Sequence, residues 1–148
     1  MSQLMAVENL KERILCAQSE DQLRVFNLDE FVPALLDLLD FDYNGEVLLA
    51  TVICLNYLMS NLPQSISFIV KHGGIKKFCV KLQSIEYAEV AEAAITSLHK
   101  LSIEHPEQVL EAGGIVCCTK KKLLIFRLIS KSIIFIVCSS FFDGLLPL

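Results

Sequence analysis

Three stretches of the chain carry apolar residues at three- and four-residue spacing, the pattern of a helix with one buried face. In residues 3–18 they are Leu4, Val7, Leu10, Ile14 and Ala17, with Glu8, Lys11 and Glu12 on other faces. From Glu46 to about Asn61 they are Val47, Thr51, Cys54, Leu55 and Leu58. From Glu86 or Glu89 to Ile103 they are Val90, Ala94, Ser97, Leu98 and Leu101. The second and third stripes coincide on a shift of 43 positions, which also pairs Glu46 with Glu89 and Pro63 with Pro106.

Shorter elements lie between them. Ser19-Glu20-Asp21 breaks the first helix, and a turn of helix is predicted around Gln22–Phe26. Asp29 is placed to cap a helix from Glu30 to about Asp40, with Pro33 tolerated in its first turn. Its expected buried side is Phe31, Leu35, Leu36, Leu38 and Leu39. Phe41-Asp42-Tyr43-Asn44-Gly45 reads as a turn. Pro63 opens a short helix to His72, Gly73-Gly74 makes a corner, and Ile75–Gln83 is a medium helix. Pro106–Ala112 and Gly113-Gly114-Ile115 repeat the short helix and the corner, now 40 residues on. The first copy thus has three extra residues between proline and glycines, expected in a connecting turn, where length is cheap. No stretch shows sustained alternation of a strand kind.

A unit of short, medium and long helix in 40–43 residues cannot bury its stripes alone, and stacked neighbours share one core. The expected fold is therefore all-α, a right-handed α-solenoid of about two full repeats plus partial ones. Gly-Gly before the medium helix favours the armadillo type over the HEAT type.

Charge divides the chain of 148 residues in two. Residues 1–118 hold 8 Lys/Arg and 16 Asp/Glu, a balance of −8; residues 119–148 hold 5 and 1, a balance of +4; together they give the net −4. The acidic body argues against a nucleic-acid partner. Residues 119–148 read as a divergent apolar and basic tail, expected to be helical. Leu123–Phe142 has the roughly 20 residues of a membrane span, yet Arg127 and Lys131 lie inside it, each costing roughly 2.5–3.5 kcal/mol near a span's centre. Packing of the tail on the last repeat, with self-association through that end, is expected rather than a span.

Six cysteines form no C-x-x-C pair, and several fall in apolar helical patterns, the usage of buried free thiols in cytoplasm or nucleus. The N-terminus lacks the basic and apolar regions of a signal peptide. His72, His99 and His105 have no ligand spacing with the cysteines, so no metal is expected. The glycine pairs have no following Lys-Ser/Thr and no preceding strand, which excludes a phosphate loop. No cofactor and no catalytic constellation is expected.

Phe31-Val32-Pro33-Ala34-Leu35, Glu46-Val47-Leu48-Leu49-Ala50, Phe68-Ile69-Val70-Lys71-His72, Ser84 to Glu92 and Glu111-Ala112-Gly113-Gly114-Ile115 resemble the N-terminal armadillo region of HECT-type E3 ubiquitin ligases. The nearest resemblance is to the plant HECT ligases and the ubiquitin-fusion-degradation and thyroid-receptor-interactor class. It covers about residues 5–118 and is to a truncated form, because residues 119–148 are too few for the HECT domain. The resemblance therefore implies a protein-interaction segment that recognises a ubiquitination substrate, without enzyme activity of its own. No cysteine here inherits the catalytic role. A stand-alone armadillo scaffold, or a membrane-associated fragment anchored by the tail, are the alternatives. The resemblance also implies a concave groove lined by Glu46, Leu49, Ile53 and Tyr57, and 43 positions later by Glu89, Glu92, Thr96 and Lys100. Nuclear import receptors, a sister armadillo group, hold peptides with asparagines placed four residues after tryptophans. Tyr57 and Lys100 stand at those positions here, and the chain has no tryptophan, which argues against import-signal binding.

Overall fold

The computed structural model describes residues 2–16, 27–40, 44–83 and 86–114. The turn expected at 22–26, most of the turn at 41–45, the Cys117-Cys118 pair and the tail at 119–148 lie outside them. Among the described residues all regular structure is helical: α1 (Gln3–Cys16), α2 (Leu28–Leu38), α3 (Gly45–Asn61), α4 (Gln64–Lys71), α5 (Gly74–Gln83), α6 (Ala88–Glu104) and α7 (Pro106–Glu111).

The long helices have clear starts and stops. Asn44 holds an extended backbone and its side chain accepts a hydrogen bond from the Glu46 N–H, satisfying a donor that the first turn of α3 leaves free. Glu46 adds a negative charge where the helix dipole is positive. At the other end Leu62 still donates to Leu58, and Pro63, with no N–H, stops the helix. α6 has the same 17 residues and ends at His105, before Pro106 opens α7.

The shift of 43 survives folding. The α6 stripe is buried throughout: Val90, Ala94, Ser97, Leu98 and Leu101. In α3, Thr51, Cys54, Leu55 and Leu58 are buried, while Val47 is half-buried and Leu48 takes the inner place. α1, α3 and α6 lie side by side, α2 packs on α3 and α4, and α5 packs on α6. This is an all-α solenoid in which α1 is the long helix of an incomplete unit. Val7 and Ile14 of α1 are buried, with Leu4 and Leu10 against the same core.

Both glycine corners recur with one geometry. Gly73 has φ 75° and Gly113 φ 78°, in the left-handed region where glycine avoids the Cβ clash. The second glycine of each pair does other work. A Cβ on Gly74 would sit 2.9 Å from the Ile69 carbonyl oxygen and meet that side chain's Cγ2. A Cβ on Gly114 would sit 2.8 Å from the Val109 oxygen, and Val109 is 40 residues after Ile69. The first glycine turns the chain, and the second lets it pass close to the helix it has just left.

Three details depart from expectation. Asn27, not Asp29, is the N-cap of α2, and Asp29 falls in its first turn. Val32 is buried in place of Phe31, which is 37% exposed, and Leu38 is only half-buried, because α2 must face α3 and α4 at once. The three extra residues lie in no turn. Counted from its proline, α4 runs to Lys71 and α7 to Glu111, so the surplus lengthens the short helix.

Lys77 of α5 ties successive units together. Its amine donates to the Leu36 carbonyl at 3.0 Å, Asp37 at 3.3 Å and Asp40 at 2.8 Å, at the end of α2. Burial acts to lower its pKa, but the hydrogen bonds to Asp40 and Asp37 outweigh this and hold it above lysine's ordinary value.

Candidate interaction surface

The eight residues expected to line a groove lie on α3 and α6, whose spacing of three and four residues sets Glu46, Leu49, Ile53 and Tyr57 on one face and Glu89, Glu92, Thr96 and Lys100 on another. Glu46, Tyr57, Glu89 and Glu92 are exposed; Leu49, Ile53, Thr96 and Lys100 are half-buried. They divide between two features.

At the N-terminal ends of α3 and α6, Glu46, Leu49 and Glu89 line an open cleft of about 530 Å³. Asn44, Gly45, Glu86, Tyr87, Ala88 and Val90 complete it. Three carboxylates thus surround an apolar patch of Leu49, Tyr87 and Val90. Both helix N-termini carry partial positive charge, a favourable setting for neighbouring negative groups.

Further along, the helices are sewn together by polar groups. The Asn56 amide donates to the Ala93 carbonyl at 3.0 Å, and its oxygen accepts from the Ser97 hydroxyl at 3.0 Å. The Lys100 amine donates to the Asn56 carbonyl at 2.8 Å and to the Ser60 hydroxyl. Burial holds the Lys100 ammonium below lysine's ordinary pKa. Lys100 therefore spends its donors on α3, and the lining it was expected to share with Tyr57 falls to Tyr57 alone. Thr96 bonds its own helix, to the Glu92 carbonyl at 3.2 Å.

Asn56, Glu86 and Tyr87 are not among the residues expected to line the groove. Asn56 had left a trace, as a polar residue between Leu55 and Leu58 in an apolar run. Replacing Asn56 with leucine is expected to cost about 0.5–1.5 kcal/mol, since the inter-helix hydrogen bonds to Ala93 and Ser97 are lost while the Ser97 hydroxyl keeps the Ala93 carbonyl of its own helix. Urea unfolding of Asn56→Leu, Ser97→Ala and the double variant measures it, and additive costs would show that the pair is not coupled.

No group of three or more His, Cys, Asp or Glu side chains among the described residues is arranged to hold a metal. Burial pushes the Cys54 thiol up to about 12, against a smaller downward pull from Lys11, so it stays protonated and unreactive. No helix among the described residues is long and apolar enough to cross a membrane.

A crystal structure of an engineered protein superposes on this fold with a TM-score of 0.76 at 19% identity, covering 96% of this chain and 57% of that one. At that identity the likeness speaks for the fold alone. By sequence the chain is 35% identical to the E3 ubiquitin-protein ligase UPL3 of Arabidopsis thaliana over 114 residues, 77% of this chain and 6% of that protein. It is 36% identical to the E3 ubiquitin-protein ligase TRIP12 of Danio rerio over 106 residues, 72% of this chain and 5% of that protein. The chain thus spans only a small fraction of the relatives it matches. Residues 1–111 match the family described as E3 ubiquitin-protein ligase TRIP12-like, TPR repeats. The unit seen here has three helices and repeats in 43 residues, where the two-helix TPR unit repeats in about 34. On this match over three quarters of its length, the chain belongs to the repeat region of the TRIP12-like E3 ubiquitin-protein ligases.

Proposed function

We propose that this chain is the segment of a ubiquitin ligase that recognises the protein to be ubiquitinated, and that it does so with the face shared by α3 and α6. The observation that carries the reading is the cleft at the N-terminal ends of those helices, where Glu46, Glu86 and Glu89 ring Leu49 and Tyr87. Such a site takes an extended segment that pairs lysine or arginine with an apolar neighbour. Charge complementarity supplies the encounter and the apolar patch the retention. Glu92, Ile53 and Tyr57 continue the face past the cleft, while Lys100 holds the helices at their spacing. The chain docks and does not transfer ubiquitin; thiols such as Cys54, kept protonated by burial, suit that role and a reducing cytoplasm or nucleus.

A displayed library of random peptides, selected on the immobilised full chain, is the test. Enrichment of peptides with a basic residue beside an apolar one is expected. The double variant Glu46→Lys, Glu89→Lys should bind the selected peptides roughly tenfold or more weakly, and Glu107→Gln, exposed on α7 outside the face, equally well. Peptides without basic residues, or binding indifferent to the charge reversal, would overturn the reading.

A further inference from the structure

Asn44 and Tyr87 hold the same place in successive units, 43 residues apart, each as the N-cap of a long helix. Asn44 caps α3 with its side chain, which accepts from the Glu46 N–H. Tyr87 makes no such bond, so the first turn of α6 forgoes a side-chain acceptor. A residue unsuited to its local place, where the equivalent place carries a suited one, points to a use other than folding. Gly45 departs from local preference as well. It is the first residue of α3, and its counterpart in α6 is Ala88. Its φ lies outside the left-handed region, so the backbone there accepts any residue. The space does not: an added Cβ would lie 2.5 Å from both Cδ1 and Cε1 of Tyr87 and 3.3 Å from its Cγ. The Tyr87 ring therefore lies against bare backbone at the head of α3, where glycine is a poorer helix former than alanine. Both helix starts are weaker than they need be, and one aromatic ring joins them.

That ring is half-buried and lines the cleft between the two helix starts. Glu46, Glu86 and Glu89 line it too, and all three are exposed. Among the described residues no lysine or arginine lines the cleft, and none pairs with any of these carboxylates. A cation supplied by a partner would meet carboxylates and an aromatic ring at once. The two basic side chains differ in how they use such a setting. A lysine ammonium is compact and strongly hydrated, and it satisfies carboxylates as a point charge. A guanidinium is planar and weakly hydrated; it lies flat on an aromatic ring while the N–H groups at its edge donate to carboxylates in a fork.

We propose that the cleft selects arginine over lysine, and that Tyr87, held in place by Gly45, is the residue that makes the choice. The guanidinium stacks on the Tyr87 ring, the carboxylates of Glu46, Glu86 and Glu89 accept its N–H groups, and Leu49 takes the apolar neighbour. This specificity rests on the docking function proposed above and adds which cation the docked segment carries.

A peptide enriched on the immobilised full chain is the probe. It is labelled with fluorescein and made in three versions that differ only at the basic position: arginine, lysine and trimethyl-lysine, the last able to stack but not to donate. Fluorescence anisotropy gives the three dissociation constants. The arginine peptide is expected to bind roughly tenfold more tightly than either of the others, the scale of a partly desolvated cation–π contact joined to charge-assisted hydrogen bonds. Tyr87→Phe keeps the ring and should keep the preference. Tyr87→Leu keeps an apolar side chain and should bring arginine and lysine to within about twofold of each other, because both still meet the carboxylates. Gly45→Ala displaces the ring with a better helix former, and should reduce the preference with the helical circular dichroism unchanged. Equal binding of the arginine and lysine peptides by the unaltered chain would overturn the specificity and leave the docking function standing. Trimethyl-lysine binding as tightly as arginine, or a preference undiminished in Tyr87→Leu, would overturn it too. Enriched peptides without basic residues would remove both the specificity and the docking function.

Discussion

Leu98→Ala is expected to destabilise the fold by about 2–5 kcal/mol, the range for emptying a leucine-sized space that neighbours cannot close. Leu98 is 1% exposed and lies in the middle of α6, which packs on α3, α5 and α7. A cavity there is walled by helices from three directions, so little relaxation is available to fill it. Leu55, its equivalent in α3, is 0% exposed and should respond alike. Urea or thermal unfolding followed by circular dichroism gives the number. A cost below about 1 kcal/mol would mean that the site collapses freely and that α6 is not the centre of the stack.

Gly74→Val is expected to cost about 3 kcal/mol, in the upper part of the range for overpacking a closed site. The added carbons meet the Ile69 carbonyl, which is backbone and cannot rotate away. Its neighbour responds to different chemistry. Gly73 has open space around it but φ 75°, so Gly73→Ala costs about 1–2 kcal/mol from backbone strain alone. Asparagine tolerates that backbone, so Gly73→Asn recovers much of the loss and Gly74→Asn recovers none. Melting temperatures of the four variants separate the roles; equal rescue by asparagine at both positions would refute the division.

The stripes and corners were legible because the chain writes them twice. Val90, Leu98 and Leu101 have counterparts 43 residues back, so a helix boundary read weakly in one copy is corrected by the other. α2 has its second copy in α5, where Ile75, Phe78, Cys79 and Leu82 are buried 43 residues after Val32, Leu35, Leu36 and Leu39, but the spacing within α2 alone does not decide between Phe31 and Val32, and there the reading slipped. Asn27 and Asp29 are both good caps by residue type, and only the backbone distinguishes them. The cleft was half visible. Glu46, Leu49 and Glu89 lie on helices and obey a period, whereas Glu86 and Tyr87 precede α6, where no period applies. Lys100, expected at the groove, is half-buried. Its long stem carries the amine across to the Asn56 carbonyl and the Ser60 hydroxyl of α3, a reach that one-dimensional spacing does not encode.

The unequal short helices bear on how this chain can change length. Three residues advance a helix by roughly 300°, most of a full revolution. The glycine after the longer α4 therefore leaves on nearly the same side of the stack as the glycine after α7, and the two corners keep almost one φ. A surplus of one or two residues would point the corner away from the core and carry the medium helix with it. The short helix acts as a spacer cut in whole revolutions, so viable insertions along this ladder are quantised: about three or four residues, or none.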